Sequence, residues 1–209
     1  MKLFLEHIGR RYNRDWIFRD IDLTMSVGGS YAILGPNGSG KSTLLKIISG
    51  QLSPSEGAVR YEDSKQQPIL PEHVYKEISI AAPYVDLIEE FSFQELVDFH
   101  FQFKKLIPGI SKDDLYDISN LSPVKQRQIK YFSSGMKQRV KLILACLSQG
   151  TLLLLDEPMS NLDTEGEEWM LEVLKHAKIE SRVLIIASNQ LKEYEFCKEK
   201  IHISDYKNK

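Results

Sequence analysis

The stretch that most constrains this chain is Tyr31-Ala-Ile-Leu-Gly35-Pro36-Asn37-Gly38-Ser39-Gly40-Lys41-Ser42-Thr43. It contains Gly35-x-x-x-x-Gly40-Lys41-Ser42, the pattern of a phosphate-binding loop. In such a loop, glycines let the backbone turn and approach an anion where a Cβ would intrude. Successive N–H groups then cradle β- and γ-phosphates, a lysine adds a point charge, and a hydroxyl is placed to ligate Mg²⁺. The flanks fit this chemistry. Tyr31 to Leu34 reads as a short apolar strand, and Ser42 to Ser49 as a helix with apolar Leu44, Leu45, Ile47 and Ile48. Gly50 stands where a helix-terminating glycine belongs. A helix N-terminus is thereby aimed at the anion. A chance match in a chain this long is on the order of one in a hundred, given ordinary glycine usage.

Composition bounds the rest. The chain has 209 residues, 42% hydrophobic and 27% charged, with a formal net charge of −2. That suits one soluble domain, or one with an inserted subdomain. Balanced charge argues against nucleic acid as the main partner. Leu3-Phe4-Leu5 is cut short by Glu6, too small for a secretory core, and Leu152–Leu155 and Val183–Ala187 are strand-sized. A membrane role is therefore expected only through a partner. Cys146 and Cys197 are too few and too far apart for a disulfide framework or a zinc site, so buried thiols in a reducing compartment, the cytosol, are expected.

In chain order, strands are expected at Leu3–Gly9, Ile17–Met25, Tyr31–Leu34, Ala58–Tyr61 and Ile78–Ala82, with Pro54–Gly57 a turn and Asp63–Pro71 a polar loop. Helical character follows from about residue 85 to 133. Ser92-Phe-Gln-Glu95 is a capping box, and the helix it opens offers Phe93, Leu96, Val97, Phe101 and Leu106 for packing. Phe91, Phe93, Phe99, Phe101 and Phe103 face too many directions for one small core, so contact with another protein is expected of some. Further helices are expected from Ser111, from Ser122-Pro123, over 136–148, over 163–178 and over 190–197. Strands are expected at 152–155, 182–187 and 201–204. Strands alternating with helices argue an α/β fold with a largely parallel sheet.

A second site element is Leu152-Leu-Leu-Leu155-Asp156-Glu157, a buried strand ending in two carboxylates. In a phosphate-loop nucleotidase a carboxylate there holds Mg²⁺, usually through water. Asp156 is placed for that, and Glu157 to polarise the water that attacks the γ-phosphate. The plainer alternative is an acidic strand end that begins a polar loop.

With these motifs in hand, the chain resembles the ATP-binding cassette (ABC) ATPases. Phe132-Ser133-Ser134-Gly135-Met136-Lys137-Gln138-Arg139 is similar to that family's signature, Leu-Ser-Gly-Gly-Gln followed by x-Gln-Arg. Ser160-Asn161-Leu162-Asp163 resembles its D-loop, and Tyr12 falls where the family stacks an aromatic on adenine. The resemblance covers essentially the whole chain. It implies a phosphate-loop fold with a mostly parallel core sheet, an N-terminal antiparallel β subdomain and an inserted α-helical subdomain. The expected division is a core of residues 1–84 and 134–209, and a helical subdomain of 85–133. It also implies ATP and Mg²⁺ as cofactors and a dimer or pseudo-dimer of cassettes paired head to tail. Each ATP would lie between one cassette's loop and the other's Ser133 and Gly135, and hydrolysis would drive a membrane-spanning subunit. The chain would then sit on the cytoplasmic face of the membrane. Three departures bear on turnover. Tyr84 stands where the family's Q-loop glutamine belongs, Asn189 where its switch histidine belongs, and Ser134 and Met136 replace a glycine and a glutamine of the signature. Asn can donate a hydrogen bond but carries no charge. Lys41, Ser42, Asp156 and Glu157 are all present, so an active, slow ATPase is expected. The alternative is a soluble ABC ATPase acting as an ATP-gated clamp or regulator.

Overall fold

The computed structural model describes residues 1–207. The chain divides into two compact units. The first comprises Met1–Ile78, Thr151–Glu157 and the chain from Ile179 onward; the second comprises Ser79–Gly150 and Pro158–Lys178.

Two sheets build the first unit. β1 (Lys2–Tyr12), β2 (Asp15–Ser26) and β4 (Glu56–Glu62) form an antiparallel sheet in the order β2-β1-β4. Leu3 pairs with Met25 on one side and with Tyr61 on the other. Alternation buries Leu3 and Leu5, and would bury His7 next. Instead the register shifts between Leu5 and Ile8. His7 takes a left-handed conformation (φ 49°), which turns it outward and sends Ile8 into the core. β1 and β2 are longer than the expected strands and meet at the turn around Asn13, with Tyr12 paired to Asp15.

The second sheet is parallel. β3 (Ser30–Leu34) lies between β7 (Val183–Ser188) and β8 (Glu199–His202), and β6 (Leu152–Asp156) flanks β7. β5 (Ile78–Ala81) opens at Ile78, the last residue of this unit's first segment. Every residue of β3, β6 and β7 is buried. This is what near-continuous apolar runs become when a sheet is covered on both faces. α1 (Lys41–Ile48) follows β3 and buries Leu44, Leu45, Ile47 and Ile48, roughly 1.5–3 kcal/mol for each such side chain. α2 (Pro71–Val74) opens at the end of the stretch expected as polar loop. β4 likewise starts at Glu56, inside the expected turn, since Glu56 pairs with Gly9.

The second unit is mainly helical. α3 (Phe93–Phe103) carries the full capping box, with the Ser92 hydroxyl accepting from the Glu95 amide and the Glu95 side chain accepting from the Ser92 amide. It buries Phe93, Leu96 and Val97 and ends before Leu106, which instead makes an isolated antiparallel bridge to Ser148. Phe93 packs edge-on against Tyr116 and Phe132, whereas Phe99 and Phe103 remain exposed. α4 (Lys112–Ser119) starts with a second capping box, Ser111 with Asp114. Ser122-Pro123 begins only one 3₁₀ turn, Ser122–Val124. The Lys125-Gln-Arg-Gln128 that follows has no apolar stripe to bury, so nothing extends the helix. α5 (Ser134–Cys146) and α6 (Thr164–His176) complete the unit, with Ser133 and Asp163 as their N-caps. Back in the first unit, α7 (Leu191–Tyr194) is a single turn rather than a helix to Cys197, because the chain must reach β8 at Glu199. β8 in turn ends at His202, and 203–206 is a 3₁₀ turn.

Candidate nucleotide site

The parallel sheet sets the site's geometry. In register, Leu34 of β3 pairs with Ser188 of β7, and Asp156 of β6 pairs with Ala187. Three strands therefore end side by side. The loop of Gly35 to Gly40, the pair Asp156-Glu157 and the residue Asn189 all leave the sheet at one edge. Ligands of open parallel sheets bind outside the carboxyl ends of the strands.

Gly40 caps α1 in the left-handed region, with φ 108°. A Cβ there would fall 2.4 Å from Ile17 Cγ2, so only glycine fits. Neither a capping side chain nor an acidic residue occupies the first turn of α1, so its leading N–H groups stay available to an anion. Lys41 is 4% exposed. Its ammonium donates to the carbonyls of Gly35 (2.9 Å) and Pro36 (3.2 Å), which hold it under the loop. A cleft of about 330 Å³ opens here, lined by Asn37, Gly38, Gly40, Lys41, Ser42 and Thr43 with Ile17 and Glu157.

Asp156 is buried, and neither carboxylate oxygen has a hydrogen-bond partner. Burial pushes its pKa up, opposed by the nearby Ser42 hydroxyl, while Glu157 adds repulsion and Lys41 attraction. The Ser42 hydroxyl thus lies near the carboxylate without forming a hydrogen bond to it. Two orphaned oxygens beside a hydroxyl suit a hydrated divalent cation. Glu157 sits at φ 46°, a left-handed conformation that costs an ordinary residue of order 1–3 kcal/mol and clusters at functional sites. Its amide donates to Ala187 O (2.9 Å), and its carboxylate lies 4.0 Å from the Lys41 ammonium.

Asn189 meets the loop directly, its Nδ2 donating to Asn37 Oδ1 at 2.9 Å. It does not cap the following helix. The N-cap of α7 is Gln190, which makes no side-chain cap. Tyr12 is half exposed at the end of β1, with the Arg10 guanidinium 4.6 Å over its ring. The residue of this hairpin that lines the cleft is Ile17, which the sequence did not single out. Its only signal was adjacency to a strand turn. Ser39, 2% exposed with an unpaired hydroxyl, is equally buried in the loop.

In the second unit, Ser133 Oγ accepts from the Met136 amide (3.2 Å) and so caps α5. A Cβ on Gly135 would come 3.0 Å from the carbonyl of Asn161, which explains a glycine there. Asp163 accepts from the Gly166 amide (2.8 Å). Tyr84 lies in the bend after β5. One other group of ligand-type side chains occurs among the described residues, at the outer face of β1 and β2. There His7 Nδ1 approaches Asp20 (2.8 Å) and Asp22 (3.1 Å), and the hydrogen bond to Asp20 followed by the charge of Asp22 raises the imidazole pKa. Hydrogen bonding and ion pairing of an imidazole with two exposed carboxylates account for it.

No helix among the described residues is long and apolar enough to cross a membrane. Comparison with known proteins agrees with the geometry. The chain is 27% identical to the lantibiotic transport ATP-binding protein SrtF of Streptococcus pyogenes, over 98% of this chain and 84% of that one. It is 28% identical to the energy-coupling factor transporter ATP-binding protein EcfA1 of Thermotoga maritima, over 98% and 79%. The fold matches the ATP-binding cassette MJ0796, solved as a dimer bound to ADP and Pi, with TM-score 0.80 and 21% identity over 96% of this chain and 93% of that one. Residues 18–160 match the family model described as ABC transporter, and the chain belongs to that family.

Proposed function

We propose that this chain is the ATP-binding and ATP-hydrolysing subunit of an ABC transporter, driving a membrane-spanning partner through ATP-dependent pairing of two cassettes. The observation that carries this reading is the convergence of Lys41, Asp156, Glu157 and Asn189 at one edge of the parallel sheet. In this reading the loop from Gly35 to Thr43 takes the phosphates, and Tyr12 takes the adenine. Mg²⁺ would be held by Ser42 and Asp156, where it would neutralise charge building on the phosphates. Glu157 acts as the base for the attacking water. Ser133, Gly135 and Asp163 complete the site from the opposing cassette. Their capping bonds leave the Ser133 hydroxyl proton free to donate, since that hydroxyl only accepts from Met136. The exposed Phe99 and Phe103, packed edge to face at 5.3 Å, are the proposed contact for the membrane subunit, which would hold the chain at the cytoplasmic face.

Purification from detergent-solubilised membranes tests the whole reading. A membrane-spanning protein should co-purify in stoichiometric amount and raise the ATPase rate. A chain that comes through alone, and hydrolyses ATP equally well without membrane protein, would instead be the soluble ATP-gated clamp.

Asn189 is proposed to reach the γ-phosphate once nucleotide displaces its contact with Asn37. A hydrogen bond to a charged group is worth about 1.5–3 kcal/mol, so Asn189→Ala should lower kcat about tenfold or more. A neutral amide stabilises developing negative charge less than an imidazole that shares a proton. Asn189→His should therefore raise kcat. Steady-state kinetics beside a melting curve separate chemistry from stability. Unaltered turnover in Asn189→Ala would remove Asn189 from the reaction.

A further inference from the structure

The turn that carries Asn189 is built around a buried acid. Glu193, on α7, is 1% exposed, and Ser188, the last residue of β7, is fully buried. Leaving a carboxylate in such a place is costly unless it is hydrogen-bonded, and an apolar residue would pack there without that cost. The Ser188 hydroxyl donates to Glu193 Oε2. A carboxylate can only accept, so the hydroxyl proton is committed to it and the oxygen lone pairs are left to accept. They accept the Gln190 amide at 2.9 Å. The Glu193 amide in turn donates to Gln190 O at 3.1 Å. These bonds close a ring around residues 188–193. Between its two anchored residues, Ser188 and Gln190, stands Asn189, whose side chain reaches Asn37 of the phosphate loop at 2.9 Å.

We propose that Glu193 is a positioning residue, which through Ser188 locks the turn after β7 so that the Asn189 amide faces the phosphate loop. The inference rests on the proposed nucleotide site for its kinetic consequence, and on the hydrogen bonds alone for its structural one. Without an acceptor at 193 the Ser188 hydroxyl turns toward the Gln190 carbonyl, 3.4 Å away. With its anchor to residue 193 gone, the Ser188 side chain can change rotamer and carry its oxygen away from the Gln190 amide, and Asn189 is then free to swing. A carboxamide at 193 still offers a carbonyl oxygen to the hydroxyl, so Glu193→Gln keeps the lock.

The side-chain amide resonance of Asn189 in a ¹⁵N-labelled chain reads this directly, assigned by its disappearance in Asn189→Ala. Asn37→Ala supplies the position of the unbonded amide. Glu193→Leu and Ser188→Ala should both move the resonance to that position, and Glu193→Gln should leave it in place. In turnover, Glu193→Leu should lose about the same factor as Asn189→Ala, about tenfold, with KM for ATP unchanged. The double variant should be no slower than Asn189→Ala alone, because both changes remove one device. A resonance that stays at its native position in Glu193→Leu and Ser188→Ala overturns the proposal. So do losses that multiply in the double variant, since those mark a general structural role. Should Glu193→Leu fail to fold, Ser188→Ala deletes only one oxygen and carries both measurements. Native turnover in Asn189→Ala would count against the hydrolytic role of Asn189 only, and the resonance shift would still decide the lock.

Discussion

Lys41→Ala should abolish measurable ATP binding in calorimetry. The ammonium is 4% exposed and sits beneath the loop, held by the Gly35 and Pro36 carbonyls. In that setting its attraction for phosphate is poorly screened by water. A charge-assisted hydrogen bond contributes about 1.5–3 kcal/mol, and a lysine facing two phosphate groups makes more than one. Each 1.4 kcal/mol is tenfold in affinity, so the loss exceeds a hundredfold on these bonds alone. The substitution also strips two carbonyls of their donor, which costs stability as well. A melting curve taken beside the calorimetry separates the two effects, because a merely less stable loop still binds at low temperature. ATP affinity unchanged in a folded Lys41→Ala chain would defeat the phosphate-loop assignment.

Glu157→Gln should keep ATP bound while slowing hydrolysis by about 10²–10⁴-fold, the usual contribution of a general base. The exchange preserves shape and the ability to hydrogen-bond, and removes only the capacity to take a proton. Glu157 already lines the cleft, in a left-handed conformation and 4.0 Å from Lys41. On the proposed role of Glu157, its loss should let ATP and Mg²⁺ accumulate a dimer that elutes as such in size exclusion, because unhydrolysed nucleotide would stay between the two cassettes. Wild-type hydrolysis by Glu157→Gln would show that another group activates the water.

Much of the site was legible because its parts are local. The loop needs glycines and a lysine at fixed spacing, and the strands on either side are unbroken apolar runs. A capping box such as Ser92 with Glu95 is likewise complete within four residues. What was not legible depends on neighbours distant in sequence. The bulge that turns His7 outward and Ile8 inward exists only against β2. Ile17 reads as an ordinary strand residue until Gly40 closes against it.

By itself, then, the amino-acid sequence determined the α/β character, the glycine–lysine loop between strand and helix, and the paired carboxylates at a strand end. Each of those rests on spacing within a short window or on periodic apolar residues, which physical chemistry reads without knowing the partners. The tertiary structure decided which groups meet. Register between parallel strands brings Leu34 beside Ser188 and Asp156 beside Ala187, and this alone lets Asn189 touch Asn37, 152 positions away. It also decided that Asp156 has no hydrogen-bond partner and that Glu193 is buried against Ser188. Burial and pairing of polar groups are set by what packs around them, and that information is spread over the whole chain.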